Sequence, residues 1–240
     1  MKRIFLTLCI LFCTAINSYA NNYGVYKPEY YKPQIKNDEK ILFILDFSNS
    51  MSEYIEDEPK YVLMIRTVKN LLKTIPPQTQ IGLRVYGHRG GFTALDSCKA
   101  SKAMNPICSN NTENIMNSLD TLGPNGMTPI TYSLKQAIRY DLAGFNGEKH
   151  IILLTDGGEN CDESPCKYAM ELIKTRRDIL IDVIAFNIDD EDDLAQLECA
   201  ALVTSGKFYT ANTACELAKS LAQSLNSRKD VDAKIIPNKN

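Results

Sequence analysis

Asp46, Ser48 and Ser50 stand at alternate positions directly behind the apolar run Ile41-Leu42-Phe43-Ile44-Leu45. One carboxylate and two hydroxyls leave the end of that run together, and oxygen donors of this kind suit a hard cation. The same pentapeptide would also serve as an ordinary turn or helix cap, so its chemistry depends on partners elsewhere. Two other segments offer them: Thr128, in front of Pro129-Ile130, and Asp156, in Thr155-Asp156-Gly157. The five residues make two carboxylates and three hydroxyls, with no imidazole or thiolate. That set favours Mg²⁺, with Mn²⁺ as the alternative, and disfavours Zn²⁺. Ca²⁺ ranks behind them. The acidic run Asp189-Asp190-Glu191-Asp192-Asp193 lacks the turn glycine and alternating ligands of a calcium loop.

Strand-like and helix-like segments alternate around these residues. Ile41 to Leu45, Ile81 to Tyr86, His150 to Thr155, Ile179 to Phe186 and Lys207 to Thr210 are predicted strands, the apolar ones suited to burial on both faces. Helices are predicted over Pro59 to Ile75, Thr112 to Leu122, from Pro129 to Leu142, Pro165 to Arg176, Asp192 to Val203, and Asn212 to Leu225, the last with Asn212 as its cap. Thr93 to Asn111 has no regular period. The alternation predicts a doubly wound α/β fold, a mostly parallel central sheet with helices on both faces. In such sheets ligands bind beyond the carboxyl ends of the strands where strand order reverses. Topology alone therefore gathers Asp46, Thr128 and Asp156.

Residues 1–20 have a basic start, an apolar stretch and Ser18-Tyr19-Ala20, the pattern of a secretory signal peptide cleaved after Ala20. Phe12 in front of Cys13 does not suit a lipoprotein signal. The expected organisation is a leader over 1–20, an arm or linker over 21–38, one domain over 39–226 and a polar tail over 227–240. No later segment has the apolar length of a membrane span. Removing the leader leaves 25 basic and 29 acidic residues, a mildly acidic chain that argues against nucleic acid as a partner. It also leaves six cysteines, an even number that fits disulfides in an exported, periplasmic or secreted protein. Proximity in sequence favours Cys98 with Cys108, Cys161 with Cys166, and Cys199 with Cys215, among the fifteen pairings that six cysteines permit.

Asp46-x-Ser48-x-Ser50, then Thr128 before a helix, then Thr155-Asp156-Gly157, resembles the metal-ion-dependent adhesion site of von Willebrand factor A domains. The resemblance spans Lys40 to Leu225. Tyr86-Gly87-His88-Arg89, Thr128-Pro129-Ile130 and Thr155-Asp156-Gly157-x-Glu159-x-Cys161 are similar to a group of exported bacterial members often named after calcium-activated chloride channels. The resemblance implies that Ser48, Ser50 and Thr128 contact the cation directly, and that Asp46 and Asp156 act largely through water. Asn49 replaces the usual small residue between the serines. A cation held by neutral hydroxyls keeps much of its charge and takes an anionic ligand readily, such as an Asp or Glu carboxylate of a protein partner.

The expected function is a binding module, not an enzyme. A structural envelope-assembly subunit is the alternative, and a Mg²⁺-dependent phosphoryl-transfer enzyme a further one. The chain carries no Walker loop, no Gly-x-Ser-x-Gly elbow and no His-Glu-x-x-His. His88 is expected to hydrogen-bond within its glycine loop beside Arg89, and His150 to be structural.

Overall fold

The computed structural model describes Ile35, residues 39–55 and residues 57–226. The expected leader, the arm apart from Ile35, and the tail lie outside the described residues. In chain order the elements are β1 (Lys40–Asp46), β2 (Tyr54–Ile55), β3 (Glu58–Pro59), α1 (Lys60–Leu72), β4 (Gln80–Tyr86), α2 (Ala94–Ser97), β5 (Ser101–Cys108), α3 (Thr112–Leu119), α4 (Ile130–Gln136), β6 (Lys149–Thr155), α5 (Pro165–Leu172), β7 (Ile179–Phe186), α6 (Glu191–Val203), β8 (Phe208–Ala211) and α7 (Ala214–Ser224). A short 3₁₀ turn over Asn49–Ser52 follows β1, and a π turn over Ala137–Asp141 continues α4.

Six strands form the main sheet in the order β5-β4-β1-β6-β7-β8. β1 lies inside it, parallel to β4 on one side and to β6 on the other. Because side chains alternate across a strand, Ile41, Phe43 and Leu45 enter one core with Leu63, Val68, Ile115 and Leu221. Leu42 and Ile44 enter the other, with Ile130, Leu134, Leu172 and Leu197. Helices α1, α3 and α7 thus cover one face, and α4, α5 and α6 the other. Each large aliphatic or aromatic side chain buried this way contributes roughly 1.5–3 kcal/mol. The mostly parallel doubly wound sheet is the expected one.

β5 differs from the expectation. The stretch left irregular in the sequence holds an antiparallel edge strand, paired with β4 through register shifts. Lys102, Ala103 and Pro106 are exposed along it, so no hydrophobic alternation announces it, and proline is tolerated on an edge. The cap of α7 also moves by one residue. Thr213 accepts from the Glu216 N–H, while the Glu216 carboxylate accepts from the N–H of Asn212.

The chain leaves β1 toward β4 and later returns to β6 on β1's other side. Loops behind β1 and β6 therefore diverge, and a crevice opens between them.

Candidate metal centre

Asp46 closes β1 with its side chain fully buried. Its Oδ1 accepts the Ser48 N–H at 2.6 Å and its Oδ2 accepts the Thr155 hydroxyl, from the end of β6, at 2.8 Å. The Ser48 and Ser50 hydroxyl oxygens are 3.1 Å apart. Ser50 then donates to Asp156 Oδ1 at 2.7 Å. An unbroken line of polar contacts therefore runs from one carboxylate to the other through both serines.

The segment that carries Thr128 is tied to the Ser48 loop by backbone pairing. Ser48 and Gly126 form a parallel bridge, and the Asn49 N–H donates to the Gly126 carbonyl at 2.9 Å. Two residues on, the Thr128 N–H donates to Asn160 Oδ1 at 2.7 Å. Glu159 continues the clamp, accepting from the N–H groups of Thr131 at 2.7 Å and Cys161 at 3.0 Å. The close approach of these loops needs glycine at two places. Gly87 has φ +68°, and a Cβ there would lie 2.5 Å from the Ser48 nitrogen; a Cβ on Gly126 would lie 2.6 Å from the Arg89 carbonyl oxygen.

Burial, and then the neighbouring charge of Asp156, push the Asp46 carboxyl up to about 7 against the pull of its bonds from Ser48 and Thr155. Burial also raises Asp156, opposed by Ser50 and by the Lys60 ammonium. The Tyr86 hydroxyl is buried beside Asp46 and Thr155, with no hydrogen bond of good geometry among the described residues. Burial and the charge of Asp46 beside it keep that hydroxyl protonated. Two buried carboxylates, one of them raised by the charge of the other, with two hydroxyls between them make a donor set that fits a hard cation. Among the described residues there is no cluster of three His, Cys, Asp or Glu side chains, so the hydroxyls are what would complete such a site.

The sequence profile of the von Willebrand factor type A domain matches residues 40–223. The chain belongs to this family. The Bacillus subtilis (strain 168) protein YwmC is 31% identical over 209 residues, which is 84% of this chain and 91% of YwmC. YwmD of the same organism is 27% identical over 183 residues, 75% of this chain and 81% of its own length. Proximal thread matrix protein 1 from the mussel byssus, solved with a zinc-occupied MIDAS motif, superposes with a TM-score of 0.60 at 21% identity, covering 78% of this chain and 44% of its own. A von Willebrand factor type A structure from Catenulispora acidiphila gives 0.59 at 19% identity, over 78% of this chain and 42% of that one. This chain spans less than half the length of those two structures.

In this A domain contacts join Asp46, Ser48, Ser50 and Asp156, and Thr128 stands two residues beyond the Ser48–Gly126 bridge. Lys60 and Asn160 were passed over in the sequence, and Glu159 was quoted there without a role. Lys60 is 3% exposed, and its Nζ lies 3.0 Å from Asp156 Oδ2 and 2.8 Å from Glu53 Oε2. Its signal was legible, because positions 60, 63, 64, 67, 68, 71 and 72 form the buried stripe of α1 and the lysine sits on it. The hydrogen bond expected of His88 is not made at its buried Nδ1, which has no partner among the described residues. Burial and the charges of Arg89 and Lys102 lower its pKa and favour neutral imidazole. His150 is structural as expected, buried with Nδ1 3.0 Å from Glu39 and Nε2 3.2 Å from Asp182.

The cysteine pairing departs from the sequence-local expectation. Cys98 bonds Cys161 and Cys166 bonds Cys199, while Cys108 and Cys215 are free and exposed. Proximity along the chain misled because the loops behind β4 and β6 converge at the crevice, placing the Cα atoms of Cys98 and Cys161 5.5 Å apart across 63 positions. The first bridge staples the segment carrying exposed Phe92 and Leu95 to the loop that begins at Asp156.

Proposed function

We propose that this A domain is an exported binding module, which holds a divalent cation at Asp46, Ser48, Ser50, Thr128 and Asp156 and recognises a protein partner through an Asp or Glu carboxylate. The observation that carries this reading is the polar line Asp46, Ser48, Ser50, Asp156, which joins the ends of β1 and β6. The bound ion would supply an electrophilic position that an acidic side chain completes. Ser48, Ser50 and Thr128 would hold it, with Asp46 and Asp156 orienting the hydroxyls and balancing charge. Mg²⁺ is the first choice on hardness of the donors, Mn²⁺ the second. Zn²⁺ belongs in the same test, because a relative in fold carries it at such a motif.

Two disulfides support an oxidising compartment, periplasmic or extracellular. No helix among the described residues is long and apolar enough to cross a membrane. The test is calorimetric titration of the purified protein with MgCl₂, MnCl₂ and ZnCl₂, beside Ser50→Ala and Asp46→Asn, followed by capture of partners from the native envelope with and without chelator. The variants should lose the metal heat and the chelator-sensitive partner together. Capture that survives both chelation and Asp46→Asn refutes the proposal.

A further inference from the structure

Lys60 opens α1 on the buried stripe of that helix, and its side chain is 4% exposed. Both circumstances disfavour a lysine. Burial penalises the ammonium, and the first turn of a helix is the positive end of its dipole. No side-chain cap offsets that end of α1, whose preceding residue is Pro59. The compensation comes from carboxylates. Lys60 Nζ contacts Asp156 Oδ2 at 3.0 Å, where the acid's side chain is fully buried, and Glu53 Oε2 at 2.8 Å, where the acid faces solvent. Asp156 is therefore shared between the Ser50 hydroxyl on one oxygen and the ammonium on the other.

From this geometry, and resting on the metal site proposed above, we infer that Lys60 is a tethered counter-cation that competes with the divalent ion for Asp156. A divalent ion drawn to Ser48, Ser50 and the two carboxylates meets a positive charge already fixed against one of them. Like charges at such separations repel strongly where water is scarce. The lysine thus weakens cation binding while it stabilises the metal-free protein. Occupancy of the site then follows the ambient concentration of divalent ions instead of being permanent. Glu53 tempers the effect from the solvent side by sharing the ammonium.

The experiment titrates the purified full chain with MgCl₂ alone by calorimetry and records thermal unfolding in chelator, for wild type, Lys60→Met, Lys60→Gln and Lys60→Arg. Removing the charge should tighten Mg²⁺ binding by about tenfold or more and lower the melting temperature in chelator. Lys60→Arg, which keeps the charge, should stay within about threefold of wild type. Lys60→Gln removes the charge but keeps a donor for Asp156, so it separates charge from simple positioning if Lys60→Met folds poorly. Unchanged or weaker Mg²⁺ binding in the charge-removed variants, with wild type binding the ion, overturns the inference. Absence of Mg²⁺ binding in every variant, the charge-removed ones included, overturns the underlying metal site instead. Binding by Lys60→Met or Lys60→Gln where wild type shows none supports the inference in its strongest form.

Discussion

His150 stands second in β6 between two buried acids, and its removal should erase a defined part of the pH dependence of stability. Burial pulls its pKa down, but hydrogen bonds to Asp182 and Glu39 and their charges outweigh burial and hold it at about 9, against an ordinary 6.5. The folded value lies above the unfolded one. The protonated imidazole therefore contributes its full stabilisation below about 6.5 and loses it as pH climbs through about 9. At about 1.4 kcal/mol per pH unit, that interval is worth about 3 kcal/mol, or roughly 6–12 °C of melting temperature for a domain of this size. The network is anchored on both sides. Asp182 also accepts from Ser224 of α7 at 2.8 Å and from the Lys207 N–H at 2.7 Å. The assay is urea unfolding at half-unit steps from pH 6 to 10 for wild type and His150→Gln. The variant will be less stable throughout, since it strands two buried carboxylates; the informative quantity is the slope. Wild type should lose about 3 kcal/mol more than the variant across the window. Parallel curves would refute the charged-histidine reading, because they would mean that the imidazole titrates alike in folded and unfolded chains.

Two further outcomes follow from named contacts. Arg84→Met should cost about 3–5 kcal/mol in equilibrium unfolding, because it leaves Asp141 buried without the guanidinium that meets it at 2.6 and 2.8 Å; a loss below about 1 kcal/mol would show that water already serves Asp141. Alkylation of the folded, unreduced protein followed by peptide mapping should modify Cys108 and Cys215 and spare Cys98, Cys161, Cys166 and Cys199, whereas protection of Cys108 would restore the sequence-local pairing.

Much of the site was legible because the chain writes it locally. Ile41 to Leu45 can only be a buried strand, so whatever follows it must emerge at the sheet's edge, and the same holds for Ile151 to Leu154 before Asp156. Thr128 is picked out by type and order alone, and the placing of its segment depends on Gly126 lying close against Ser48 and Arg89. β5 was not legible, since an exposed edge strand takes its register from β4 rather than from its own pattern. The disulfides failed for a related reason: their partners are neighbours through the crossover, not along the chain. Lys60 stood in view as a charge on an apolar stripe, yet a lone lysine at a helix start reads as solvated until Asp156 is seen beneath it.

Cys161 and Cys166 sit in one short segment, so the two bridges act in series across the domain. For a domain pulled along its chain, this sets which parts can lengthen. Pulled from its ends, the chain bypasses the 63 positions closed by the first bridge and the 33 closed by the second. At the span of an extended residue those stretches would otherwise yield roughly 300 Å of slack. Thr128 and Asp156 lie inside the first closed stretch, while Asp46, Ser48 and Ser50 lie on the free length before it. Load would therefore fall on the unbridged ends, on β1, held between β4 and β6, and on β8, paired with β7 alone. Neither closed stretch adds length while its bridge is intact, so extension is confined to those ends.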